Sequence, residues 1–328
     1  MLRAAGAATR CGRVPTPLEP RADMSKDLGV ELLLKREDLL DDLGCGHKAR
    51  KLHYHLAEAL RLDASVLLTV GSLPSSQSVA VAAAARRCGI RAHLLYMGDE
   101  QAQPATAHGY YLLASLLGPT ITWHERRPWA EHAAALQDAV QAEIALGETP
   151  YPIPPGMSSG PGLLGSIELG LELAAQLGSS ATRPTHIVAP AGSGGTCLGL
   201  AIAAVALELD WRVTGVCIGA SARAVEDQVA SLCQEAGALA WAHSATNRVT
   251  FHDHALGGGY AQTSRSQLEL VRDALRCYGL LFDPVYMIKA LLGIRQLIEL
   301  GTICSTTRTL LVHTGGSLGV LSDIRTPL

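Results

Sequence analysis

Short apolar runs alternate with helical patterns along most of this chain, and that alternation restricts its fold more than any other feature. SVLLTV (65–70), RAHLLYM (91–97), TITWH (120–124), THIVAP (185–190), RVTGVCIG (212–219) and TLLVHT (309–314) each have the length and polarity of a buried strand. Helical segments lie between them at 75–89, 129–147 and 196–209, the first opened by serines and closed by glycine. Such alternation predicts an α/β fold built on doubly wound, mainly parallel sheets. A chain of 328 residues is long for one core and suits two domains. With 48% hydrophobic residues and two Phe, the core must be aliphatic. One stretch breaks the rhythm. TPYPIPPGMSSGPG (149–162) is too rich in proline and glycine for a helix or a central strand, and reads as a crossing between two sheet domains.

Several function classes are excluded early. A formal net charge of −3 with no basic block gives no attraction for nucleic acid or acidic membranes. No apolar run reaches the roughly 18 residues of a spanning helix. The eight cysteines are scattered without a Cys-x-x-Cys pair, which argues against zinc and dithiol chemistry and fits buried thiols in a reducing cytoplasm. The start, MLRAAGAATRCGRVP, is basic and lacks acids; it reads as a transit peptide or, by preference, as an ordinary frayed terminus.

Two loops at predicted strand–helix junctions carry chemistry. In APAGSGGTCLGLAIA (189–203), Gly192, Gly194 and Gly195 allow a tight turn whose amides approach an anion. Ser193 and Thr196 add hydroxyls, and the helix N-terminus adds a favourable field. Without Gly-Lys-Ser/Thr it is no nucleotide P-loop. GSLPSSQS (71–78) has the same placement, with Ser72, Ser75, Ser76, Ser78 and Gln77; it suits a carboxylate, and equally suits plain N-capping.

Other motifs are weaker. GMSSG (156–160) has the spacing of a serine-hydrolase nucleophile, but PYPIPP precedes it, where no strand is expected, which argues against that role. HYH (53–55) and HDH (252–254) lack a third ligand at zinc spacing and read as surface or polar-core residues. GGGY (257–260) and FDPVY (282–286) present Tyr260 and Tyr286, the latter one turn into a helix begun at Pro284.

GCGHKARKLHYHL (44–56) places His47, Lys48, Arg50 and Lys51 at a helix start, where the macrodipole disfavours positive charge. A lysine amine can condense with an aldehyde. Pyridoxal phosphate carries an aldehyde and a phosphate, so Lys48 together with the glycine loop suggests that cofactor. Lys51 lies one turn on, on the same face, within reach of the phosphate. A basic surface patch is the plain alternative.

With these residues in view, the chain resembles the fold-type-II pyridoxal-phosphate enzymes, the tryptophan-synthase-β-like group. Within them it resembles the branch of D-cysteine desulfhydrase and 1-aminocyclopropane-1-carboxylate deaminase. The likeness runs from PTPLEP (15–20) to VHTGGSLG (312–319) through LLLKREDLL, GHKARKL, GSLPSSQS, YPIPPG, AGSGGTCLG and LFDPVY. It implies that Lys48 holds the cofactor and moves the substrate's α-proton. It further implies that Lys51 and the loop of Gly192, Ser193, Gly194, Gly195 and Thr196 hold the phosphate. Ser75, Ser76 and Gln77 would hold the substrate carboxylate, Ser75 being the reactive serine, with Ser76 also beside the cofactor. Tyr260 and Tyr286 would be active-site tyrosines, and Thr314 would face the pyridine nitrogen.

The resemblance implies a larger domain of residues 1–51 and 161–328, an inserted α/β domain of 52–160, the cofactor between them, and a homodimer. It implies β-elimination on a small amino acid, D-cysteine first, with Tyr286 protonating the leaving group. The alternatives are the cyclopropane deaminase, elimination from another β-substituted amino acid, and a cofactor-binding protein without turnover. The chain departs from the family at His47 and Ser76, where asparagine is usual. The deaminases' Glu and Leu are replaced by Met287 and Thr314, which is closer to the desulfhydrases, although Met287 itself matches neither branch.

Overall fold

The computed structural model describes residues 11–97, 103–104, 106–125, 131–235 and 241–321. The basic stretch 1–10 and residues 129–130 of the expected helix 129–147 lie outside them; that helix is seen as His132–Ala145.

Ten strands are described: β1 (Leu18–Pro20), β2 (Leu32–Lys35), β3 (Val66–Gly71), β4 (Arg91–Met97), β5 (Thr120–His124), β6 (Pro150–Ile153), β7 (Thr185–Ala191), β8 (Trp211–Cys217), β9 (Val249–His252) and β10 (Arg308–Val312). They form a six-stranded sheet, β1-β2-β10-β7-β8-β9, and a four-stranded sheet, β5-β4-β3-β6. Every pairing is parallel except β1 with β2.

Helices cover both faces of each sheet, which explains the uninterrupted apolar runs. In the larger sheet, Ile187, Ala189 and Ala191 of β7 enter one core with the helices Gly160–Leu177 and Gly195–Ala206. Val188 enters the opposite core with the helix Met287–Glu299. This is the two-residue period of a strand. In the smaller sheet, Leu67 and Leu94 pack under the helices His47–Arg61 and Ser76–Cys88, while Leu68 and Leu95 meet the helix His132–Ala145.

One expectation is corrected. The proline-rich PYPI forms strand β6, although no strand was expected before GMSSG. It is tolerated because β6 is an edge strand, paired among the described residues to β3 alone. Pro150 and Pro152 alternate with Tyr151 and Ile153, whose N–H groups remain available for pairing. The short strands β1, β2 and β9 were not read as strands: three or four residues carry too little pattern.

Candidate active site

The helix His47–Arg61 begins at Gly46, whose φ of +60° suits glycine. A Cβ there would stand 2.2 Å from the Thr314 carbonyl oxygen, so the close approach of helix start and β10 loop requires its absence. The Thr314 carbonyl accepts from the His47 N–H at 3.1 Å, and His47 Nδ1 lies 2.9 Å from the same oxygen. Only an Nδ1–H can donate to a carbonyl, so this bond sets the tautomer.

The cations at this helix start then diverge. Arg50 turns away and binds Glu37 through two nitrogens, each at 2.8 Å, and Glu172 at 3.0 Å; Lys35 also pairs with Glu172. This buried network ties the helix to β2 and to the helix Gly160–Leu177. Lys48 and Lys51 point the other way, each donating to the Gly156 carbonyl at 3.3 Å. Burial lowers the Lys48 ammonium to about 8. Burial, reinforced by Lys48, holds Lys51 well below the ordinary lysine range. Burial together with Lys48 and Lys51 likewise keeps His47 neutral.

These side chains open on a cavity of about 610 Å³. Of the residues expected at the site, Lys48, Lys51, Ser75, Gln77, Gly192, Ser193, Gly194, Thr196, Tyr260, Tyr286 and Thr314 line it. Ser76 and Gly195 do not: the Ser76 hydroxyl donates to the Cys45 carbonyl at 3.3 Å, and Gly195 packs against Ser158. Among the described lining residues there is no Asp or Glu.

Two helix N-termini reach the cavity. The helix Gly195–Ala206 starts at Gly194 with φ +75° and has no side-chain cap. A Cβ on Gly194 would stand 2.3 Å from Val229, so again only glycine fits. Ser193 beside it is held by Ser158 at 2.6 Å between hydroxyl oxygens. At the other N-terminus, Ser75 caps the helix Ser76–Cys88 by accepting the Gln77 N–H. The Gln77 amide donates to Thr69 at 2.7 Å and to the Pro154 carbonyl at 2.9 Å, which fixes the loop.

On the remaining wall, the hydroxyls of Tyr260 and Tyr286 lie 2.6 Å apart, and Tyr260 is 3.0 Å from Ser72. Tyr286 is not one turn inside a helix, as expected from Pro284: it is the N-cap residue of Met287–Glu299. The carboxylate of Asp283 accepts the N–H groups of Val285, Tyr286 and Met287 and so sets the helix start at Met287. The Thr314 hydroxyl and N–H both face the Met287 sulfur, at 3.6 and 3.4 Å.

Sequence reasoning missed the supporting roles of Asp283, Ser158, Arg50 and Lys289. The buried Lys289 ammonium binds the Ile218 and Gly259 carbonyls at 2.9 and 2.7 Å and steadies the loop that carries Tyr260. A buried lysine in an apolar helix was the available signal. The histidine motifs are structural: His55 bonds the Tyr151 hydroxyl at 3.1 Å and His252 bonds Gln296 at 2.7 Å. No cluster able to hold a metal occurs among the described residues. No helix of the described residues is long and apolar enough to cross a membrane.

The donor set fits a phosphorylated aldehyde. Two buried ammonium groups and an uncapped helix N-terminus face a cavity with no carboxylate among the described residues, an arrangement that a bound dianion would complete. Lys51 and the 192–196 loop would hold a phosphate, and Lys48, with its lowered proton affinity, would attach the aldehyde.

Comparison with known proteins agrees. Residues 11–315 match the model of the family described as pyridoxal-phosphate dependent enzyme. A D-cysteine desulfhydrase of Yersinia pestis is 33% identical over 309 residues, covering 92% of this chain and 91% of the relative. A Pyrococcus abyssi protein provisionally named 1-aminocyclopropane-1-carboxylate deaminase is 30% identical over 306 residues, covering 93% and 90%. A crystal structure of an ACC deaminase homologue superposes with a TM-score of 0.82 at 29% identity, covering 95% of this chain and 92% of the other. The two-sheet architecture is that of the fold-type-II enzymes. With its buried lysine, its glycine loop and this match along nearly its whole length, the chain belongs to the pyridoxal-phosphate dependent enzyme family.

Proposed function

We propose that the protein is a lyase that performs β-elimination on a small amino acid, D-cysteine foremost, giving pyruvate, ammonia and sulfide. The observation that carries this reading is the convergence of Lys48 and the paired hydroxyls of Tyr260 and Tyr286 on one cavity. A base and an acid facing one space are what removal of an α-proton and protonation of a β-leaving group require. Met287 stands where the deaminase branch places a carboxylate and matches neither branch; its sulfur, not a charge, meets Thr314.

Pyridoxal phosphate, when bound, supplies the electron sink for carbon-acid chemistry. The protein does the rest. Ser75 and the amides at its helix start bind the substrate carboxylate. Lys48, near neutrality because of burial, takes the α-proton. The tyrosine pair provides a proton to the departing sulfur, and burial keeps both phenols protonated at neutral pH.

The same reading divides the chain into a larger unit of 1–51 and 161–328 and an inserted unit of 52–160. The segregation of β3–β6 from the other strands supports it, although the helix His47–Arg61 runs unbroken across residue 51. The free thiols and the family likeness support a cytoplasmic homodimer.

The test is a panel of D-cysteine, L-cysteine, β-chloro-D-alanine and 1-aminocyclopropane-1-carboxylate, assayed for keto acid and ammonia with Lys48→Ala as control. Pyruvate from D-cysteine supports the reading. Product from the cyclopropane alone transfers the protein to the deaminases. Visible cofactor absorbance with no product from any substrate makes it a binding protein.

A further inference from the structure

Two phenols in contact leave open which of them gives up its proton. Ser72 resolves the choice. It follows β3, and its hydroxyl oxygen lies 3.0 Å from that of Tyr260, which lies 2.6 Å from that of Tyr286. All three line the cavity, and Tyr260 is the middle member. Its ring is seated against the end of β8: a Cβ on Gly219 would stand 2.7 Å from Tyr260 Cβ.

Resting on the elimination reading, we propose that Tyr260, not Tyr286, is the proton donor to the leaving group, and that Ser72 is the positioning residue that makes it so. The reason is geometric. Among the described residues, an ionised Tyr260 accepts hydrogen bonds from Ser72 and Tyr286 together, whereas an ionised Tyr286 receives one, from Tyr260. Hydrogen bonds to a charged acceptor are stronger than neutral ones, so the middle oxygen bears the negative charge at lowest cost.

In the step itself, the electron pair left at Cα by removal of its proton forms the Cα=Cβ bond as the Cβ–S bond breaks and its own pair stays on sulfur. The Tyr260 proton moves to that sulfur, and the phenolate keeps its own electron pair until solvent reprotonates it. The surroundings agree. Burial raises both phenols, but the bonds from Ser72 and Tyr286 pull Tyr260 down, while the bond between the tyrosines raises Tyr286. Asp283 opposes ionisation of both, Tyr110 also faces Tyr286, and the Lys289 ammonium sits behind the Tyr260 loop on the Gly259 carbonyl.

The test uses holoenzyme labelled with carbon-13 at the tyrosine hydroxyl carbon, whose NMR shift reads ionisation without turnover, alongside pH profiles of kcat. Ser72→Ala should raise the ionisation of Tyr260 by about one pH unit, a tenfold change, because one charge-assisted bond is lost. It should lower kcat roughly tenfold with KM little changed. Ser72→Thr, which keeps the hydroxyl, should restore both. Tyr260→Phe should lose about a hundredfold or more of kcat, and Tyr286→Phe should lose less. An unshifted Tyr260 signal in Ser72→Ala overturns the proposal, as does a Tyr286→Phe enzyme more impaired than Tyr260→Phe. A wild-type enzyme that yields no keto acid overturns the elimination reading instead, and the NMR arm still reports on Ser72.

Discussion

Lys51 is a fully buried cation whose cavity offers carbonyls and hydroxyls but no carboxylate among the described residues. Burial costs the charged form, and the unfolded chain has no such cost. Between the depressed values of Lys48 and Lys51 and the ordinary 10.5, the unfolded state therefore binds more protons than the folded one. Stability of the cofactor-free protein should rise with pH through that window, and the penalty should be complete below it. Lys51→Met should raise the melting temperature of the cofactor-free protein, by about 1 kcal/mol of stability, and flatten this pH dependence. The same variant should bind the cofactor more weakly. Thermal melts across pH, with and without cofactor, measure both effects. The helical spacing of Lys48 and Lys51 was legible, because three residues make nearly one turn. That Arg50 leaves them for Glu37 and Glu172 was not, since its partners lie 13 and 122 residues away.

At the scale of elements, boundaries were set by contacts that local pattern does not contain. Pro284 suggested a helix that encloses Tyr286, yet the Asp283 carboxylate starts it later and leaves the tyrosine at its mouth. The prolines of PYPI argued against a strand until the strand was seen to have one neighbour. The start of the helix His47–Arg61 depends most on a single residue. Gly46→Ala puts a Cβ at 2.2 Å from the Thr314 oxygen on a backbone with φ +60°. It should cost about 2 kcal/mol or more in denaturant unfolding, and cofactor absorbance should fall because Lys48 follows two residues later.

Across the whole molecule, the groups that would hold the cofactor come from both sheets: the helix carrying Lys48 packs on the smaller sheet, while the 192–196 loop follows β7 and Thr314 follows β10. A ligand bound by all of them stabilises the two halves together. Pyridoxal phosphate at a hundredfold over its dissociation constant should add about 2.7 kcal/mol, seen as one cooperative melt moved upward. Two separate transitions, only one of which responds, would show that the halves unfold independently.

Strand–helix alternation, the glycine loop and the lysine at a helix start were readable from residues alone, since periodicity, turn chemistry and capping act over a few neighbours. They sufficed for a parallel α/β fold and suggested a phosphorylated aldehyde as its ligand, with a basic surface patch as the alternative until the family resemblance was weighed. Folding alone brought Ser72 to Tyr260 across 188 residues, and Glu172 to Arg50 across 122. Such pairings follow from how sheets stack and helices cross, and no local pattern of side chains encodes the distance between two ends of a chain.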